Sequence, residues 1–157
     1  MKFKHILNES IKPKTKQELK EIIEKTIKEK GIKCDLNFID VSSITDMSYL
    51  FFRSRFNGDI SKWDVSKVKN MMGMFERSNF NGDISKWDVS KVEDMRSMFF
   101  GSYFNENISK WNVSKVKKMN GMFAFSKFNQ DISKWDISSH DINGMFEDCP
   151  LEKNPPF

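Results

Sequence analysis

The sequence predicts an α/β solenoid, a stack of near-identical coils each built from one short strand and one short helix. Two observations carry that expectation. Trp63, Trp87, Trp111 and Trp135 recur every 24 residues, and Phe56, Phe80, Phe104 and Phe128 keep the same spacing. A fixed period of roughly 20–50 residues marks an array whose units bury their apolar faces only against neighbouring units. Each unit also carries two hydrophobic periods. In Ile60-Ser61-Lys62-Trp63-Asp64-Val65, Trp63 and Val65 fall on one side of an extended segment with Lys62, Asp64 and Ser66 on the other, and Val68, Met71 and Phe75 then follow at helical spacing.

Residues 1–14 read as an arm that is basic, contains Pro13 and lacks sustained periodicity. Residues 15–31 read as an amphipathic helix covering the first coil. Thr15 and Glu18 form a capping box, Leu19, Ile22, Ile23 and Ile27 make the apolar stripe, and Gly31 stops it. The array occupies residues 32–157. It comprises a degenerate first repeat (32–55), four further repeats (56–79, 80–103, 104–127 and 128–149) and a tail (150–157) in which Pro155-Pro156 ends helix and pairing alike. The strand of each coil is expected to centre on Asp40, Asp64, Asp88, Asn112 or Asp136, with the tryptophans inward. Ser66 is the expected N-cap of the helical half, and Asn57-Gly58-Asp59 the turn between coils.

Ile-x-x-Trp-x-Val stands where a leucine-rich repeat carries Leu-x-x-Leu-x-Leu, so the fold expected is leucine-rich-repeat-like. The full unit F-N-x-D-I-S-x-W-D-V-S-x-V-x-x-M-x-x-M-F resembles the bacterial surface-protein repeat of the BspA-like class, first noticed in mycoplasma lipoproteins. The resemblance covers residues 34–157. It implies a repeat solenoid with an adhesin-like, protein-binding role and no catalytic residues.

The chain is basic overall, at +4, but unevenly so. Residues 1–33 hold 10 Lys against 5 Glu, leaving 16 basic and 17 acidic residues beyond them. The array therefore lacks the basic surface on which nucleic-acid binding would rest. No apolar stretch reaches the ~18 residues of a membrane span, and Ile6-Leu7 is too short a run for a signal peptide. A cytoplasmic or virion-associated location is thereby favoured over secretion. Cys34 and Cys149 fall at opposite ends of the array, ~20 Å apart at ~4.8 Å per strand, beyond disulfide reach.

The residues offer no catalytic constellation. His5 and His140 are far apart in sequence, no Cys/His cluster has metal spacing, and no cofactor motif is present. What remains is a surface. Lys62, Lys86, Lys110 and Lys134 are expected to form one outward column beside Asp64, Asp88, Asn112 and Asp136 in the next, a striped Lys/Asp ladder. The side chains that differ between repeats are more informative about binding: Arg53, Arg55, Arg77, Phe100, Tyr103 and Phe125, the types that interface hot spots use. The favoured reading is a monomeric, non-enzymatic module that binds a protein across several coils. The second reading is a phage-encoded accessory protein, packaged in the head or blocking a host factor. It rests on Met1–Ser10, which resembles a phage scaffold-targeting peptide with a processing site between Glu9 and Ser10. A plain arm is the alternative for that segment.

Overall fold

The computed structural model describes residues 10–157. Helix α1 spans Lys16–Lys30. The Thr15 hydroxyl accepts from the Glu18 N–H at 3.1 Å, and Gly31, at φ 90°, returns its own N–H to Ile27 O. Leu19 and Ile23 are buried in one core with Leu36, Ile39 and Met47 of the first repeat. Lys16 Nζ reaches Ser48 Oγ (2.6 Å) and Asp46 (3.5 Å), pinning the start of α1 to that repeat. Ahead of the helix, Ile11 pairs in parallel with Ile39.

Beyond α1 the repeats lie one against the next without a run of strand or a second α-helix among the described residues. The expected strands centred on Asp40, Asp64, Asp88, Asn112 and Asp136 do not form. Asp59 and Asp64 accept from the N–H groups of Ser61 and Ser66 at 2.9 and 3.0 Å, and Ile60–Trp63 and Val65–Val68 close into turns. These local bonds consume the backbone groups that a ladder would need. Ile60, Trp63, Val65 and Val68 all point into the core, and Ser61-Lys62 and Ser66-Lys67 become corners. Ser66 is accordingly the residue capped, not the cap.

The Met-x-x-Met-Phe segment is not helical either. The N–H groups of Met74, Glu76 and Ser78 close turns onto Met71, Gly73 and Phe75. Those of Met71, Gly73, Phe75 and Arg77 cross instead to Asp94, Arg96, Met98 and Phe100 of the next repeat, at 2.7–2.9 Å. An α-helix would spend these donors internally. The same four crossings join every adjacent pair of repeats from Met47 to Glu147. Parallel pairing between successive repeats runs here, at Asp46, Asn70, Asp94, Lys118 and Asp141; ahead of the tryptophan segment it is confined to Asp35 with Asp59.

Gly58 is not a positive-φ turn residue. A Cβ there would collide with the Cys34 carbonyl oxygen, so glycine permits the close approach of two repeats. Beside it the Asn57, Asn81 and Asn105 side chains each accept from the N–H one repeat on, all at 2.8 Å.

The core is aromatic columns. Phe51, Phe75, Phe99, Phe123 and Phe146 stack at 5.5–6.2 Å with planes within 5°. Phe56, Phe80, Phe104 and Phe128 stack at 6.1–6.2 Å beside them. Trp63 lies on Trp87, and Trp111 on Trp135, at 6.4 Å. Burying each such ring contributes about 1.5–3 kcal/mol, which is how an array with so little regular secondary structure holds together.

Candidate functional site

The run of overlapping turns after each methionine forms one long edge of the array. Two positions per repeat on this edge have positive φ. One series is Tyr49, Gly73, Ser97, Gly121 and Gly144; the other is Arg53, Arg77, Gly101, Phe125 and Asp148. They stand third in their turns, where a positive φ is required and glycine is the natural occupant. Bulky side chains are genuine outliers there, each at a cost of about 1–2 kcal/mol. Yet Tyr49, Arg53, Arg77 and Phe125 hold φ of 54–57°, and all four are exposed.

These side chains are organised by neighbouring rings. The Arg53 guanidinium lies over Phe52 at 5.1 Å, and that of Arg77 over Phe100 at 5.9 Å. Phe100 in turn meets Phe125 at 5.3 Å, and Tyr49 meets Phe52 edge-on at 5.8 Å. The Tyr49 ring occupies the space a Cβ on Gly73 would need. Tyr103 is 60% exposed for a local reason. It sits between buried Ser102, whose Oγ accepts from the Phe104 N–H, and buried Phe104, and is thrust outward as are Arg55 and Lys127 in the same Ser-x-Phe frame. None of Arg53, Arg55, Arg77 and Lys127 joins an ion pair among the described residues.

The structure thus brings Arg77 and Tyr103 to one edge with Arg53, Arg55, Phe100 and Phe125. Sequence reasoning missed Tyr49 and Phe52, which lie in the degenerate first repeat. Their signal was alignment at 24-residue steps: Phe52 falls in the column of Phe100.

Lys62, Lys86, Lys110 and Lys134 lie elsewhere, exposed at the first corner of each repeat, where shallow polar depressions run between them and Asp83, Asn107 and Asp131. Asp64, Asp88, Asn112 and Asp136 precede the second corner and line none of these depressions. No ion pair joins the two sets, so the expected Lys/Asp ladder is corrected: in repeats 56–79 and 80–103 the pattern Asp-x-Ser-Lys occurs twice, and each of those aspartates has its own lysine three residues on. Asp59 feels Lys62, and Asp64 feels Lys67. The main task of these carboxylates is capping. Bonds from the Ser66 hydroxyl and N–H hold Asp64 below the usual carboxylate range, and those from Ser90 do the same for Asp88. Asp40, bonded by Ser42 and then by Lys12 at 3.1 Å, is lowered to about 2. Asn112 makes the same bond to the Ser114 N–H at 3.1 Å without a charge.

Glu9, half of the expected processing site, lies outside the described residues; Ser10 is exposed. Cys34 and Cys149 are free and buried, and burial pushes both thiols up. Among the described residues no three His, Cys, Asp or Glu side chains gather as a metal site, and no helix is long and apolar enough to cross a membrane.

Stacked repeats with a backbone ladder between them and an aromatic–arginine edge define a repeat protein. The chain belongs to a mycoplasma repeat family: the family model described as "Mycoplasma protein of unknown function, DUF285" matches residues 17–124 and again 77–154. The overlap of the two matches over 77–124 is what a repeat produces, since the same units fit the model in more than one register. No curated protein matches the chain, and no solved structure does.

Proposed function

We propose that the chain is a non-enzymatic protein-binding module, a leucine-rich-repeat-like solenoid of the BspA-like class that holds its partner across several coils. One observation carries this reading. Arg53, Arg77 and Phe125 occupy left-handed backbone positions where Gly101, in the same column, sits without strain. Strain kept at exposed sites is a mark of function rather than of folding. The residues kept are arginine and aromatic, the types that dominate binding energy. A single coil offers only two or three such side chains, so a standard interface of ~800 Å² per partner requires several coils together.

The experiment compares three variants of the intact chain for binding to a cognate partner. One removes the lysine column (Lys62/Lys86/Lys110→Ser). One neutralises the aspartates while keeping their turns (Asp64/Asp88→Asn). One strips the edge (Arg77/Tyr103→Ala). Loss of binding in the edge variant alone supports the reading. Loss in the lysine variant at high salt, with the edge variant binding normally, places the site at the first corner instead.

A further inference from the structure

Resting on the edge as the binding site, we infer that the partner it fits is an acidic, extended polypeptide segment bearing aromatic or aliphatic side chains. Three observations lead to this chemistry. First, charge is localised. Residues 34–157 hold 16 basic and 17 acidic residues, yet from the first to the fourth repeat the outer-turn edge sets Arg53, Arg55, Arg77 and Lys127 against Glu76 alone, its other carboxylates, Glu147 and Asp148, standing in the last repeat. Second, Arg53 and Arg77 are adjacent in one column, since the Arg53 N–H bonds to Glu76 O at 2.9 Å, and no carboxylate pairs with either among the described residues. Like charges directly opposite across a backbone ladder repel. A carboxylate between them removes that repulsion and receives a planar, bidentate donor already oriented by the ring beneath. Arg96 shows the contrast: it is neutralised within its own repeat by Asp94 at 2.6 Å. Third, rings alternate with the cations along the edge. Phe52 and Phe125 are 41% and 46% exposed, and Phe100 lies between Arg77 and Phe125, so apolar partner groups have seats next to the charged ones.

A nucleic acid also takes cations interleaved with rings. Here a continuous phosphate chain would pass over Glu76, which stands between Phe52 and Phe100 in its column, and it would find only four cations in which to release counterions. A polypeptide can place a neutral or basic residue at Glu76 and its carboxylates at Arg53 and Arg77.

The test uses the full chain and three probes in one fluorescence-anisotropy series: a glutamate-rich peptide, a lysine-rich peptide of equal length and phenylalanine content, and an oligothymidylate. Binding is mapped by the Arg side-chain and backbone amide signals in NMR spectra. The glutamate-rich peptide is expected to bind about tenfold or more tightly than the lysine-rich one, with shifts at Arg53, Arg77 and Phe125. Arg53→Gln with Arg77→Gln should remove most of that difference, and Arg96→Gln should leave it unchanged. Equal or tighter binding of the lysine-rich peptide at the same edge overturns the acidic partner and leaves the edge standing as a protein site. Oligothymidylate binding as tightly as the glutamate-rich peptide overturns it in favour of nucleic acid. Glutamate-rich peptide mapping onto the Lys62–Lys134 corners overturns the inference and the edge reading together. Absence of binding by all three overturns the inference alone, because the cognate-partner comparison of edge and lysine variants is independent of these probes.

Discussion

The indole Nε1 of Trp87 donates to the carbonyl oxygen of Ile60, 3.1 Å away and 27 residues earlier in the chain. Trp63, Trp111 and Trp135 repeat the contact with Leu36, Ile84 and Ile108. Each tryptophan therefore does two things at once: its ring fills the core, and its one donor ties its repeat to the preceding one. The Ile60 oxygen also accepts from the Trp63 N–H at 3.2 Å, so it keeps a partner if the indole is removed.

That double acceptance separates two substitutions. Trp87→Ala should cost ~3–5 kcal/mol, a large-to-small change in a core. Trp87→Phe keeps an inward ring and orphans no carbonyl, so its hydrogen-bond loss should be about 1 kcal/mol, with a smaller packing cost added. Urea unfolding measures both. A Phe variant as damaged as the Ala variant would show that the bond, not the ring, holds the repeats.

The glycines of the outer turns differ in a measurable way. Gly121 has φ 61° and its nearest neighbour to a new Cβ is Ser97 Oγ at 3.6 Å, so Gly121→Ala should cost only backbone strain, about 1 kcal/mol. At Gly73 the added methyl also meets the Tyr49 ring. Gly73→Ala should therefore be the more destabilising, and the gap should close in a Tyr49→Ala background. Equal costs in the native background would mean that the ring moves aside freely.

Acid should loosen the array through its capping aspartates. Asp40, Asp59, Asp64, Asp83 and Asp88 all have folded values below the usual carboxylate range, through bonds from serine N–H and hydroxyl groups. A group depressed on folding adds stability that is full above its unfolded value and is lost as pH falls through its folded one. Stability should thus be level above about pH 5 and decline from about pH 4 toward the value of about 2 set by Asp40. Because Asn112 caps as Asp64 does, Asp64→Asn with Asp88→Asn should keep the fold and shrink that decline. Thermal melts across pH measure it; an undiminished decline would put the acid sensitivity elsewhere.

The parts legible in the sequence are those set by local chemistry or by the period itself. Thr15 and Gly31 bound α1 because caps act within one turn of chain. Trp63 and Trp87 lie one on the other because identical residues at a constant interval fall at equal positions in adjoining repeats. The strand and the helical turn expected from the sequence are absent for one reason. Val68, Met71 and Phe75 satisfy a helical spacing, but overlapping turns bury the same residues while freeing alternate N–H groups for the next repeat. Alternation in Lys62–Ser66 equally suits two consecutive capped corners. The edge was half visible: Arg77 and Tyr103 stood out by breaking the repeat, whereas Tyr49 and Phe52 were masked by a repeat already degenerate. The backbone strain under Arg53, Arg77 and Phe125 leaves no mark in the sequence beyond the glycine at position 101.

That strain makes the central claim measurable without a partner in hand. If Arg53, Arg77 and Phe125 are kept for binding, glycine is the better residue for folding at each of their positions. The unfolding free energies of Arg77→Gly and Phe125→Gly, by urea titration of the intact chain, decide it. The account predicts that both variants are more stable than the native chain, by about 1 kcal/mol each, as relief of left-handed strain outweighs the added flexibility of the unfolded chain. Variants less stable than the native chain would contradict it, because these side chains would then be holding the array together rather than waiting for a partner.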